Sequence, residues 1–433
     1  MLNVSQATKN AFKSDSAFKE VRLYFPQLNL NITNERIFKE SLEVKESLLD
    51  KKSIEFVGCI ASSMSVKISG IDESLVGKRV KVYITADNTD EICLFNGIVD
   101  SAKAEANKIH KKIVAYDELY SKGNKDVSAW YNSLSWPKTI KQIRDSLFAY
   151  IGLTQKSISL PNDNVSISKQ YDPKSLQALA VIKNICQING YFGIMARDGE
   201  FEYRMVNYFS TIYPSETLIH PSSIIYPAPG GHSSTVLTYY RKSEYEEFSV
   251  KPVDKLIIRQ SDDDAGQSYG TGTNKYIIQS NIFTYGLDGA VIAQMAENIY
   301  PNVHELAYTP FTGVNNGLPF LECGDVVTYE TLLGVKSFTV LSRSWKGIQA
   351  QKDTYKAAGV EYQNEFLSDL KTKVDLIKNA SDSNARAIKD LDSRVTALEE
   401  GGGLANIVST RSLPSQPAQN TLYLVQGEIV VIP

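Results

Sequence analysis

The sequence predicts a β-rich mixed α+β protein: two small β-barrels with an α+β insertion between them, then a coiled coil and a short β tip. Three observations predict it. Short alternating apolar and polar runs, separated by turn residues, fill the chain from Phe18 to about Tyr120 and return after residue 236. Between residues 125 and 205 the apolar period lengthens to three or four, which signals helices. From Phe366 a heptad pattern begins and persists for five heptads.

Residues 1–124 carry the first barrel, with the runs KEVRLYF, IEFVGCI, MSVKI, RVKVYITA, EICLFNGIVDS and KKIVAYDEL. The insertion, residues 125–205, opens with an amphipathic helix behind Pro137, where Ile140, Ile143, Leu147 and Ile151 share a face. A second helix presents Leu176, Leu179, Ile182 and Ile185, and Asn189-Gly190 supplies its stop. Two strands then flank Arg197-Asp198-Gly199, a hairpin with the glycine where φ is expected to be positive.

Residues 206–360 carry the second barrel. A Pro-, Gly- and Ser-rich connection (206–236) precedes strands, the helix AVIAQMAENIYPNV and further strands. Residues 361–400 form the coiled coil, whose apolar a and d positions are Leu367, Leu370, Val374, Ile377, Ile388, Leu391, Val395 and Leu398. Ser381 and Asn384 make the middle heptad polar. A seam this long predicts oligomerisation, although β-branched residues at a with leucine at d do not by themselves select three strands. Residues 401–433 read as a Gly/Pro linker and a β-hairpin tip around Gln426-Gly427. Leu422, Tyr423, Leu424, Ile429, Val430 and Val431 are too few to bury themselves in so small a hairpin, so a partner is expected.

Composition narrows the function. The chain has 433 residues, 42% hydrophobic and 22% charged, within the range of globular proteins. Its formal charge of −3 gives no electrostatic reason to expect nucleic acid or an anionic membrane, so no specific nucleic-acid binding is expected. No stretch approaches the roughly 18 apolar residues of a membrane span, and the start lacks a signal-like apolar run. Four scattered cysteines make no disulfide framework and are read as reduced and mostly buried.

Candidate chemistry is weak throughout. LPFLECGDVVTYE sets Cys323 beside Gly324 and Asp325, but a turn that starts a strand explains it better than a nucleophile without a base. Asp262, Asp263 and Asp264 lack the ligand order of a calcium loop. His110, His220, His232 and His304 lack zinc spacing, and no nucleophile elbow or phosphate loop occurs. No catalytic residue, cofactor or metal is therefore assigned.

Two stretches echo each other, LVGKRVKVYITADNTDEICLFNGIVDS and LECGDVVTYETLLGVKSFTVLSRS. Each runs from a glycine to Val80 or Val327, then Val82 or Tyr329, then a loop and Phe95 or Phe338. The pair suggests two similar barrels in one chain.

The segments FKSDSAFKEVRLYFP, NERIFKESLEVKESL, LFNGIVDS with IVAYDELY, ICQINGYFGIMARDGEFEY, YEEFSVKPVDKLIIR and LPFLECGDVVTYE together resemble the phage baseplate or tail hub family. That family includes the amino-terminal structural part of tail-associated lysins and prophage endopeptidase-type tail proteins. The resemblance covers about residues 12–360, and AYD, EEF and GDVV are its most specific pieces. It implies two tail-tube-like barrels per chain and a homotrimer, whose six barrels would adapt a sixfold tail tube to threefold tip components. It further implies residence in the virion at the tail tip or baseplate, after synthesis in the host cytoplasm. The implied partners are the tail tube or a distal tail protein on one side and a spike, fibre or lysin on the other. Family members often carry a peptidoglycan-cutting domain after the hub; here the coiled coil and tip stand in that place. The alternative is a tail-associated peptidoglycan hydrolase with an unrecognised active site, and a third reading, a surface carbohydrate binder, is disfavoured by the missing signal peptide.

Overall fold

The computed structural model describes residues 2–14, 16–49, 58–105, 109–168, 173–205, 218–221, 238–261, 264–304, 306–331, 334–362, 406–410, 421–425 and 428–432. The chain divides into two compact units, Met1–Lys169 with Ser175–Lys373, and Gln170–Lys174 with Val374–Pro433.

In the larger unit a short helix, α1 (Gln6–Lys13), begins at Ser5, whose hydroxyl accepts the Thr8 N–H. Phe12 on its inner face is buried. The alternating runs then become strands β1 (Lys19–Phe25), β2 (Leu30–Ile32), β3 (Glu43–Ser47), β4 (Ser63–Ser69), β5 (Arg79–Ala86), β6 (Ile92–Ala104) and β7 (His110–Tyr116). In β1, β4 and β5 every second side chain is buried, the period of a strand with one wet face.

The insertion contains α2 (Glu118–Gly123), α3 (Ser128–Ser133), β8 (Lys138–Thr139), α4 (Ile140–Ile151), β9 (Ser166–Ile167), α5 (Ala178–Asn189), β10 (Phe192–Met195) and β11 (Phe201–Arg204). Thr139 and Gln142 close a reciprocal capping box on α4. Gly190 ends α5 at φ 68°, and Gly199 turns the β10–β11 hairpin at φ 97°. The expected α4 face, Ile140, Ile143, Leu147 and Ile151, is buried; on α5 Ile182 and Ile185 are buried and Leu179 is half-buried, while Leu176 is buried just ahead of the helix, which starts at Ala178.

Beyond it lie β12 (Leu218–Pro221), β13 (Thr238–Tyr245), β14 (Lys255–Arg259), β15 (Gln267–Gly270), β16 (Lys275–Gln279), α6 (Gly289–His304), β17 (Phe311–Asn315), β18 (Val326–Thr331), β19 (Gly334–Thr339), β20 (Ser342–Lys346) and β21 (Lys352–Ala357). The strand β12 falls within the stretch read as a connection. Its four residues pair in parallel with β13 and β18, a context that composition does not reveal.

Fourteen strands form one largely antiparallel sheet in the order β19-β18-β12-β13-β17-β21-β20-β3-β4-β7-β6-β5-β1-β2. The central join is β3 against β20, with Glu46 opposite Arg343 and Val44 opposite Trp345. Strands some 300 residues apart thereby merge the first and last thirds of the unit into one sheet. A smaller sheet, β15-β14-β16, carries α6, and the Asn162 amide donates to both Ile188 O in the last turn of α5 and Met295 O on α6.

In the second unit, β22 (Asn406–Thr410) runs parallel to β23 (Thr421–Val425), and β24 (Glu428–Ile432) runs antiparallel to β23. The strand β22 lies where the sequence reads as linker; its pairing with β23 depends on a partner more than ten residues away. No helix among the described residues is long and apolar enough to cross a membrane.

Candidate functional site: an arginine-clasped junction

The stretch that opens β18 is a buried and heavily bonded loop. Gly324 turns at φ 98°, donates its N–H to Val340 O at 2.7 Å, and lets Asp325 accept the Glu322 N–H at 2.8 Å. Cys323 is fully buried, and burial pushes its thiol well above the usual range. A nucleophile needs the opposite shift. The turn reading of ECGD therefore stands.

Three arginines, two from the β10–β11 hairpin and one from β20, hold this loop. Arg197, in the β10–β11 turn, forms a two-toothed pair with Glu46 on β3 at 2.9 and 3.0 Å. Its remaining donors reach Pro319 O at 2.6 Å and Leu321 O at 2.9 Å. Arg343 on β20 pairs the same way with Asp353 on β21, at 2.9 and 2.7 Å, and also donates to Leu321 O and Leu318 O. Arg204 at the end of β11 donates to Cys323 O and to Glu202. The Leu2 N–H takes Phe320 O at 2.8 Å, so the carbonyls of residues 318 to 321 and 323 are all satisfied.

Burial alone would neutralise such charges, and pairing reverses that. For Glu46, burial raises the pKa, but the Arg197 charge and hydrogen bonds, with Arg343 and Arg204 behind them, leave it lowered. For Arg343, burial lowers the pKa, and Asp353 with Tyr355 more than restores it. The Arg197–Glu46 pair therefore stays ionised at neutral pH. Asp353 is fully used: it also accepts the Tyr355 hydroxyl at 2.7 Å and the Leu318 N–H at 3.3 Å.

Beside the clasp lies an open cleft of about 780 Å³, lined by Lys156, Asp198, Glu202, Arg204, Glu322 and other residues. Lys156 bridges Glu202 at 2.8 Å and Asp198 at 3.2 Å, and Arg204 meets Glu202 at 3.0 Å. Both signs of charge therefore line the cleft, and Lys156 and Arg204 are each paired within it. Among the described residues no cluster of His, Cys, Asp or Glu could hold a metal ion. Asp264 accepts the Gln260 and Gly266 N–H groups, a turn of the sort expected for the acidic run.

The residues singled out from the sequence fall elsewhere. The seam Leu367, Leu370, Val374, Ile377, Ile388, Leu391, Val395 and Leu398 lies outside the described residues. In the second unit Leu422 stands opposite Val431, Tyr423 opposite Val430 and Leu424 opposite Ile429. Sequence reasoning missed the clasp, yet a signal was present. In EVKES, SRSWK and KDTYKA the period of two puts Glu46, Arg343 and Asp353 on the same faces as Val44, Trp345 and Tyr355.

The echo is visible in the backbone. Gly77 and Gly324 both have positive φ, and both precede strands whose third and fifth following residues, Val80 and Val82 or Val327 and Tyr329, are fully buried. The hairpins differ in register: Val82 faces Phe95, whereas Phe338 faces Val327.

The chain is similar in structure to phage tail proteins. One is a tail protein from Neisseria meningitidis, 13% identical, covering 79% of this chain and 99% of the other at a TM-score of 0.47. A 43 kDa tail protein of prophage MuSo2 from Shewanella oneidensis is 8% identical, covering 78% and 97% at 0.47. The prophage tail protein gp18 from Listeria monocytogenes is 14% identical, covering 84% and 99% at 0.45. No protein-family model and no curated protein sequence matches the chain.

Proposed function

We propose that this chain is a structural hub at the distal end of a phage tail or phage-derived particle, a homotrimer that adapts a sixfold tail tube to threefold tip components. The observation that carries the reading is the echo. Two glycine-started hairpins with matching buried positions lie far apart in the chain, yet they belong to one sheet joined through β3 and β20. A repeated surface in each chain is what three chains need to meet a sixfold ring. The AYD, EEF and GDVV pieces of the family resemblance fall in the same unit.

In this reading the arginine clasp is the rigid seam that locks the insertion to both parts of the sheet. The heptad seam from Leu367 to Leu398 holds the three chains together, and the strands around Tyr423 and Val430 engage a distal spike, fibre or lysin. Catalysis is not part of the proposal. Cys59, Cys186 and Cys323 are buried, and burial raises the Cys186 and Cys323 thiols, away from a nucleophile's requirement.

Multi-angle light scattering of the full chain at micromolar concentration tests this. Three copies per particle are expected, and deletion of residues 363–433 should weaken the assembly. A stable monomer of the full chain would overturn the hub reading.

A further inference from the structure

The exposed face of the large sheet is unusually basic for a chain whose formal charge is −3. Lys67 on β4 stands opposite Lys112 on β7, which stands opposite Lys103 on β6. On the far side of the β3–β20 join, Lys346 stands opposite Lys352, with Lys356 four residues along on the same face. Lys45 on β3 lies between the two groups, paired in register with Ser344 and Ser63. The opposite face is apolar or fully paired, with Val44, Met64, Ile113, Trp345 and Tyr355 buried.

Like charges directly opposite across a sheet are destabilising. Lysine is common on sheet edges as a guard against strand addition, but every strand here has a neighbour on both sides. Some of the charge is offset: Lys67 meets Glu105 at 2.6 Å, and Glu43, which stands opposite Lys346 on this face, meets Lys45 at 3.3 Å. Lys103, Lys112, Lys346, Lys352 and Lys356 are exposed and make no ion pair with the described residues. Between the lysines stand small hydroxyl groups, Ser342, Ser344, Ser47, Ser63, Ser65 and Ser101, with Val114 and Tyr116 as the apolar members.

We propose that this face binds the phosphodiester backbone of duplex nucleic acid without reading its sequence. Lysines are point charges on flexible stems and suit phosphates, and serine hydroxyls donate to them as well. From β21 to β6 the face spans five strand spacings, about 24 Å at ~4.8 Å each. At a rise of about 3.4 Å this meets roughly seven base pairs. An acidic protein partner is a poorer fit, because protein interface cores are depleted in Lys and Ser and rich in aromatic residues. Single strands fit less well for lack of a row of stacking rings.

Fluorescence anisotropy with two 30-base-pair duplexes of unrelated sequence tests the proposal on the full chain. Equal affinity for both is expected at 50 mM salt, falling steeply by 200 mM. Each lysine on a phosphate adds about 0.9 to the salt slope, so in K346Q/K352Q/K356Q the fall over that fourfold range should be about 40-fold smaller. Thermal melting of the variant should be unchanged or raised, since a like-charge pair is removed. No binding at 50 mM salt, equal binding of poly-glutamate, or an unaltered slope in the folded variant would each overturn it; the assay is independent of copy number and so of the hub reading.

Discussion

Replacing Arg197 with alanine removes both teeth of the Glu46 pair and the donors to Pro319 O and Leu321 O. Glu46 is then a buried carboxylate facing an empty site, with Arg343 and Arg204 as its remaining charge partners. Breaking a buried pair from one side typically destabilises by about 3–5 kcal/mol. At roughly 2 °C per kcal/mol for a unit this large, the melting midpoint should fall by about 6–10 °C at pH 7.5. The pH dependence carries the diagnosis. In the intact protein Glu46 has a lowered pKa, so its contribution is present at neutral pH and lost only as the pH falls through the carboxylate range. In R197A, burial has less to oppose it and the Glu46 pKa rises, so protonation on acidification relieves the unpaired charge and the deficit narrows. Adding E46A to R197A should recover about 0.5–3 kcal/mol of the summed single losses. A deficit below about 1 kcal/mol at pH 7.5, or one that widens on acidification, would show that the pair does not hold the junction.

Three further outcomes are expected. Asp117 receives the Ser62 and Leu119 N–H groups, but burial pushes its pKa up to about 7. Its folded pKa exceeds the unfolded one, so stability should decline as pH rises from about 4 through 7, and D117N should flatten that slope in melts from pH 5 to 8. Gly324 and Gly77 are equivalent in the echo, yet a Cβ at Gly324 meets Arg204 Cδ at 2.7 Å whereas none lies within 4 Å at Gly77. G324A should therefore destabilise more than G77A, whose strain alone is about 1–2 kcal/mol; equal melting shifts would count against the clasp's tight fit. Finally, an aromatic disulfide reagent should modify Cys323 no faster than the unit opens, measured by labelling rate against urea concentration; rapid native labelling would contradict its burial.

Local chemistry made much of the fold legible from sequence. The period of two marks strands, the stripes on α4 and α5 mark helices, and glycines 190, 199 and 324 mark stops and turns through the positive φ that other residues resist. The absence of a signal for β12 and β22 has a physical cause: strands of four or five residues are stabilised by the neighbours they pair with, and those neighbours are distant in sequence.

The clasp divides along the same line. Alternation is enough to place Glu46, Arg343 and Asp353 on inward faces, because a strand's side chains must point to opposite sides in turn. Alternation does not reveal that Arg197, 151 residues from Glu46, leaves its hairpin turn to meet it. Nor does the sequence alone set Lys67 opposite Lys112 or β3 beside β20, since strand order is chosen by how the whole sheet buries its apolar face. Net charge averages over the surface, so −3 concealed a basic face that only strand order assembles.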